Sequence, residues 1–169
     1  MERVVIIGCG GSGKSTLARR LSEKTGLPVV HLDKLWWRSG WTNPTREEFD
    51  QTLSEELEKL RWIMDGNYNR TLPQRMDKCD TAIFLDYSRW ICLWGMLKRV
   101  LTHYGQVRPD MPQGCPERFD PEFIRWIWDF QKNVRPRNYE LLTQAEREHG
   151  VRVVVLKTRR EAERFLRTV

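Results

Sequence analysis

The sequence predicts an α/β fold in which a parallel sheet carries helices on both faces. Three observations predict it. Short β-branched runs alternate with segments of helical spacing along the 169 residues. The first run, Val4-Val5-Ile6-Ile7, is continuously apolar, as expected of a strand covered on both sides. Directly after it stands Gly8-Cys9-Gly10-Gly11-Ser12-Gly13-Lys14-Ser15, followed by Thr16 to Leu21 with helical spacing. Strand, glycine-rich loop and helix in that order form a phosphate cradle.

The loop chemistry explains its composition. Gly8, Gly10, Gly11 and Gly13 permit positive φ, so that backbone N–H groups turn inward toward an anion. The helix that follows adds the positive end of its dipole. Lys14 is placed to reach the β- and γ-phosphates, and the Ser15 hydroxyl to hold Mg²⁺. The candidate nucleotide-binding set is therefore Gly8, Gly10, Gly11, Ser12, Gly13, Lys14, Ser15 and Thr16. Cys9 is incidental to the phosphate grip, although its thiol stands beside a helix N-terminus, a setting that can acidify a thiol.

Arg3 to Ile7 is the first predicted strand and Lys14 to Lys24 the first helix, stopped by Gly26 and Pro28. Val29 to Asp33 reads as a second strand whose last residue, an acid, faces the phosphate loop, because ligands bind at the carboxyl ends of parallel strands. Lys34 to Pro44 is polar and turn-rich, with Trp36, Trp37 and Trp41. Thr45 caps a helix reaching Lys59, and Glu48 completes a capping box. Arg61 to Met64 is the third strand, again followed by an acid, Asp65. A short helix over Leu72 to Met76 precedes the fourth strand, Thr81 to Asp86.

Arg89 to Tyr104 is predicted helical, and its Trp90 and Trp94, with Trp126 and Trp128 further on, are assigned to the core. Gln106 to Asp120 holds Pro109, Pro112, Gly114 and Pro116, which exclude a regular element. Pro121 to Glu148 is a long helical stretch broken near Pro136. Val151 to Leu156 is the fifth strand, and Arg160 to Arg167 the last helix.

Composition narrows the function classes. A charged fraction of 31% beside 40% hydrophobic residues describes a globular domain, and no apolar run approaches the roughly 18 residues that span a bilayer. With no signal-peptide pattern, the expected location is the cytoplasm. Cys9, Cys79, Cys92 and Cys115 form no C-x-x-C pair, which excludes a zinc or disulfide framework. The net charge of +6 fits either a basic nucleic-acid face or arginines converging on polyphosphate. Their scatter along the chain favours the second.

Four segments carry a resemblance: Gly8 to Thr16, His31-Leu32-Asp33, Asp65-Gly66-Asn67-Tyr68, and the Arg-Pro-Asp-Met and Cys-Pro-Glu-Arg stretches between Arg108 and Arg118. Together they resemble the DNA topology modulation proteins, small adenylate-kinase-like P-loop proteins, and more widely the nucleoside monophosphate and shikimate-type kinases. That resemblance implies a five-stranded sheet in the order 2-3-1-4-5 and one domain over residues 1–169. It also implies an acceptor region at about 33–60 and a lid at about 104–120. It implies ATP and Mg²⁺ as cofactors, with transfer of the γ-phosphate to a small acceptor. The Asp-Gly-Phe-Pro-Arg segment of adenylate kinases is altered here: Asn67-Tyr68 replaces Phe-Pro, and Arg70 falls one residue late.

Under the resemblance, Asp33 orients or deprotonates an acceptor hydroxyl, or holds a metal-bound water, and Asp65 shares those alternatives. Ser15, Asp33 and Asp65 form the expected metal set. Trp36, Trp37, Asp65, Gly66, Tyr68 and Arg70 join Asp33 as acceptor-binding residues. Arg99, Arg108 and Arg118 are the expected clamp over the phosphates, and Arg159 and Arg160 the donor-base loop. The competing reading is an NTP-binding or hydrolysing regulator associated with DNA. It requires a basic face outside the pocket, and the sequence holds no helix-turn-helix or basic tail.

Overall fold

The computed structural model describes residues 1–169. Its sheet consists of β1 (Arg3–Gly8), β2 (Val29–His31), β3 (Trp62–Asp65), β4 (Thr81–Leu85) and β5 (Arg152–Leu156). All pairings are parallel, in the order β2-β3-β1-β4-β5. The strands are legible in sequence because burial on both faces demands unbroken apolar runs: Val4 to Ile7 are fully buried, as are Ala82, Ile83 and Phe84. Register places Ile6 opposite Asp65 and Gly8 opposite Leu85, so the loop after β1 and the end of β3 emerge at one sheet edge.

The helices are α1 (Lys14–Thr25), α2 (Leu32–Trp36), α3 (Arg46–Leu57), α4 (Leu72–Lys78), α5 (Arg89–His103), α6 (Pro121–Asn133), α7 (Arg135–His149) and α8 (Arg159–Arg167). α1 buries Leu17, Ala18 and Leu21 and ends at Gly26, whose φ of 69° is the left-handed cap that glycine adopts freely. The Thr45/Glu48 capping box starts α3 as the spacing predicts. Pro136 lies in the first turn of α7, where its missing N–H costs nothing, and the long stretch breaks at Val134. Residues 104–120 form the predicted irregular segment, held by single bridges such as Tyr104 to Glu117.

Two expectations are corrected. β2 stops at His31, and Asp33 lies in the first turn of α2 instead of at a strand end. An acid is favoured there by the helix dipole, and β2 loses its partner where β3 ends at Asp65. Trp90, Trp94 and Trp128 do not form core, being 67%, 60% and 45% exposed, whereas Trp126 of α6 is half-buried and packs against the core as expected. α5 buries its opposite face through Cys92, Met96 and Val100, leaving the indoles on the solvent side. Trp90 meets Trp128 edge to face, and the Arg89 guanidinium lies 4.8 Å from the Trp128 ring centre.

Candidate active site

The phosphate loop turns on three glycines with positive φ, Gly8 (152°), Gly11 (75°) and Gly13 (94°). Gly10 is not among them, contrary to the expectation for all four. Glycine is needed there for space, since a Cβ on Gly10 would stand 2.4 Å from the tip of the Phe123 ring on α6. Gly13 caps α1 in left-handed conformation, so α1 begins at Lys14. The Lys14 ammonium donates to the Cys9 carbonyl at 3.0 Å. The Cys9 thiol is buried, and its contact with Cys92 together with burial pushes its pKa up, so the expected acidification does not occur.

Below the loop opens a cavity of about 650 Å³. Gly10, Gly11, Gly13, Lys14, Ser15 and Thr16 line one side. Asp33, Trp36 and Trp37 from α2, with Asp65, Gly66, Asn67 and Tyr68 after β3, line the other. Arg99 near the end of α5 and Arg108 in the irregular segment 104–120 complete the wall. Most of the predicted site thus converges at the carboxyl edge of the sheet. Gly8 and Ser12 are buried behind the loop and support it from within.

The acids differ in setting. Asp33 is half-buried and accepts from the Tyr68 hydroxyl at 2.7 Å. Burial raises its pKa and nearby Asp65 adds to that, outweighing the Tyr68 hydrogen bond. Burial, then the Asp33 charge, likewise raises the Tyr68 phenol. Asp65 is 4% exposed; its Oδ1 lies 2.9 Å from His31 Nδ1, and its Oδ2 has no partner.

The irregular segment 104–120 brings a third acid that motif reasoning missed. Asp110 is buried, and Arg108 donates to it at 2.6 Å. Burial opposes its ionisation, but Arg108, its own backbone N–H, His31 and the Ser15 hydroxyl outweigh that and lower its pKa. Arg108 also lies 2.7 Å from Glu117, and Arg99 donates to the same Glu117 at 3.1 Å. Arg99 has a lowered pKa through burial and the neighbouring Arg108 charge.

Four predicted site residues are placed elsewhere. Arg70 makes a two-point ion pair with Asp50, at 2.7 and 2.6 Å, outside the cavity. Its late position in the segment carries it past the cavity onto α3. Arg118 is exposed, its guanidinium 4.7 Å above the Trp41 ring, because it directly follows the buried Glu117 and its side chain is carried out to the surface. Arg159 and Arg160 head α8 and do not line the cavity; the Arg159 guanidinium instead approaches Gly95 of α5.

Sequence reasoning also missed Asn67 and Arg75. Asn67 accepts from the Gly8 N–H at 3.0 Å and donates to the Gly8 carbonyl at 2.7 Å. Arg75 is fully buried on α4 and donates to the carbonyls of Gly66, Asn67 and Tyr68. Burial pulls its pKa down to about 9. A charged residue in the buried stripe of a short helix, six positions from Asn69, was the one available signal.

The donors present fit a magnesium ion. Mg²⁺ takes hard oxygen ligands, usually one or two from protein with the remainder from phosphates and water. The Ser15 hydroxyl and the orphaned, buried Asp65 Oδ2 supply that chemistry in the same cavity. No cluster of three or more His, Cys, Asp or Glu forms a complete protein cage.

Comparison with known proteins agrees with this architecture. The chain is 28% identical over 94 residues to an adenylate kinase of Thermotoga neapolitana, matching 54% of this chain and 42% of that protein. It is 32% identical over 109 residues to an adenylate kinase of Mycolicibacterium smegmatis, covering 59% of this chain and 55% of the relative. The chain thus spans about half the length of the curated relatives it matches. Shikimate kinase from Acinetobacter baumannii, solved with shikimate, superposes with a TM-score of 0.63 at 13% identity, covering 99% of this chain and 90% of the other. Shikimate kinase from Bacteroides thetaiotaomicron gives 0.59 at 16% identity, with 99% and 95% coverage. These superpositions establish a shared P-loop kinase fold. A family model described as an AAA domain matches residues 4–94, more than half of the chain and the whole phosphate-loop half of the site, and the chain belongs to that family.

Proposed function

We propose that the protein is an ATP- and Mg²⁺-dependent phosphotransferase that moves the γ-phosphate to the hydroxyl of a small acceptor. One observation carries this reading: the phosphate loop, the acids Asp33 and Asp65, and the arginines Arg99 and Arg108 line a single cavity. The loop N–H groups and the α1 dipole receive the donor phosphates, with Lys14 leaving the Cys9 carbonyl for them. Ser15 and Asp65 would hold the metal, whose chemistry is to neutralise phosphate charge.

Asp33 receives the acceptor proton. Its raised pKa makes it a better base than an ordinary aspartate while Tyr68 fixes its direction. The acceptor oxygen bonds to the γ-phosphorus, the bond to the bridging oxygen breaks, and ADP leaves. Arg99 and Arg108 transfer their donors from Glu117 and Asp110 to the charge that develops on the moving phosphoryl group. Phe123, packed on Gly10, closes the loop side against water.

The motifs at His31 to Asp33, Asp65 to Tyr68 and Arg108 to Arg118 support a narrower kinship with DNA topology modulation proteins as part of the same proposal. Single-turnover assays with ATP and Mg²⁺ test the chemistry. Lys14→Ala abolishes ATP-dependent transfer with the fold intact, and Asp33→Asn lowers transfer by about a hundredfold or more with ATP affinity little changed. Activity retained in Lys14→Ala would overturn the assignment.

A further inference from the structure

We propose that the solvent face of α5 is a self-association surface, on which a second copy of this chain lays its own α5 antiparallel about a two-fold axis.

The two sides of α5 have different fates. Cys92, Met96 and Val100 are buried in the chain's own core, and a Cβ on Gly95 would stand 2.1 Å from the Gly11 carbonyl oxygen, so that side is packed against the phosphate loop. The other side carries Trp90, Trp94, Leu97 and Leu101, all exposed, the two leucines by 39% and 72%. Their spacing of four, three and four residues is that of a coiled-coil seam, the a and d positions of successive heptads. Trp128 of α6 widens the stripe, its ring centre 5.5 Å from that of Trp90. Lys98 flanks the seam without interrupting it.

The area matches what a dimer needs. Taking roughly 200 Å² for a large side chain, the exposed parts of these residues, with Tyr104 at the end of α5, come to about 600 Å². That is the upper end of the roughly 300–600 Å² that a monomer leaves in its largest apolar patch. With the half-buried Ile91 and Leu93 and the stem of Lys98 as rim, the face approaches the ~800 Å² that each partner contributes to a standard interface.

The stripe is also complementary to itself. Its N-terminal half is indole and its C-terminal half leucine. An antiparallel second α5 sets Trp94 against Leu97 of the second copy and Trp90 against its Leu101, so that every large ring meets a smaller side chain, and the two-fold axis repeats both contacts. A parallel pair would set indole against indole at each level. Antiparallel helices also bring opposite dipole ends together. The rim carries both signs: Lys98 on α5, then Glu122, Arg125, Asp129 and Lys132 on α6, with Arg125 paired to Asp129 at 4.0 Å. Arg89 is folded over the Trp128 ring. An anionic membrane or a nucleic-acid backbone selects a rim of cations alone, whereas a mixed rim around an aromatic centre suits another protein surface.

Sedimentation velocity of the full chain over a concentration series tests this. A species of twice the chain mass is expected, with a dissociation constant of about 10 µM or tighter. Leu101→Glu and Trp94→Gln, both at exposed positions, are each expected to weaken association about thirtyfold or more while leaving the far-ultraviolet circular dichroism unchanged. The antiparallel register has its own readout: Trp94→Lys and Leu97→Glu are each monomeric alone, and their equimolar mixture recovers the dimer. A chain that stays monomeric to about 100 µM, a dimer that Leu101→Glu and Trp94→Gln leave intact, or a mixture that does not recover overturns the proposal. A monomer that instead sediments with phosphatidylglycerol–phosphatidylcholine vesicles, and loses this in Trp94→Gln, overturns it as well and assigns the face to a membrane.

Discussion

Asn67 grips Gly8 across 59 residues of sequence, accepting from its N–H at 3.0 Å and donating to its carbonyl at 2.7 Å. One amide thereby ties the end of β3 to the first residue of the phosphate loop, and Arg75 holds the Asn67 carbonyl from below. Asn67→Ala leaves both Gly8 groups without their partner. It is expected to lower stability by about 2 kcal/mol and to weaken ATP binding. Urea unfolding and ATP titration measure both. Asn67→Asp keeps an acceptor for the N–H but sets a carboxylate against the Gly8 carbonyl, and is expected to be no better than the alanine variant.

Gly10 and Phe123 form a contact in which one side chain occupies the space that the other position must leave empty. Gly10→Ala places a methyl group 2.4 Å from the Phe123 ring tip, so the ring must swing out of its place over the loop, lowering activity. Adding Phe123→Ala removes the clash and restores ATP binding in part, although the exposed loop then hydrolyses ATP faster without acceptor. Gly11→Ala is different. Its Cβ would meet the Cys92 carbonyl oxygen at 2.2 Å with φ at 75°, so Phe123→Ala gives no rescue. ATP affinities of the single and double variants separate the two cases.

Asp33 holds its pKa above the ordinary value of 3.8, chiefly through burial. The folded protein therefore binds this proton more firmly than the unfolded chain, and stability contributed by Asp33 falls as pH rises from 3.8 through the folded pKa. Asp33→Asn removes that slope and is expected to stabilise the fold at neutral pH by about 1 kcal/mol while impairing transfer. Thermal unfolding of both proteins across that window gives the comparison.

Asp86 behaves with the opposite sign. Burial opposes its ionisation, but Arg135, at 2.7 and 2.8 Å, and the Tyr139 hydroxyl, at 2.7 Å, outweigh it and lower its pKa. Its contribution is complete above the ordinary 3.8 and is lost as pH falls through the folded pKa. Asp86→Asn is expected to cost about 2 kcal/mol at neutral pH and to flatten the acid limb of the unfolding curve.

Sequence alone determined the layered fold and the position of the phosphate loop in this protein. Both are written in local patterns: apolar runs for strands buried on two faces, a capping box at Thr45, and glycine spacing before Lys14. Even the break before Pro136 is local, because a proline restricts its own helix turn. The tertiary structure decided which charges remain available. Arg70 is drawn away to Asp50, 20 residues back, Arg118 to the distant Trp41, and Arg99 and Arg108 to Glu117. Nothing in a residue's identity states which partner it will meet. It decided equally that the α5 indoles face solvent, since helical spacing marks two apolar stripes on α5 and only packing selects the buried one. Motif spacing acts within a few residues, whereas ion pairing and burial depend on where distant segments arrive, and the wall of this cavity facing the phosphate loop is built from such arrivals.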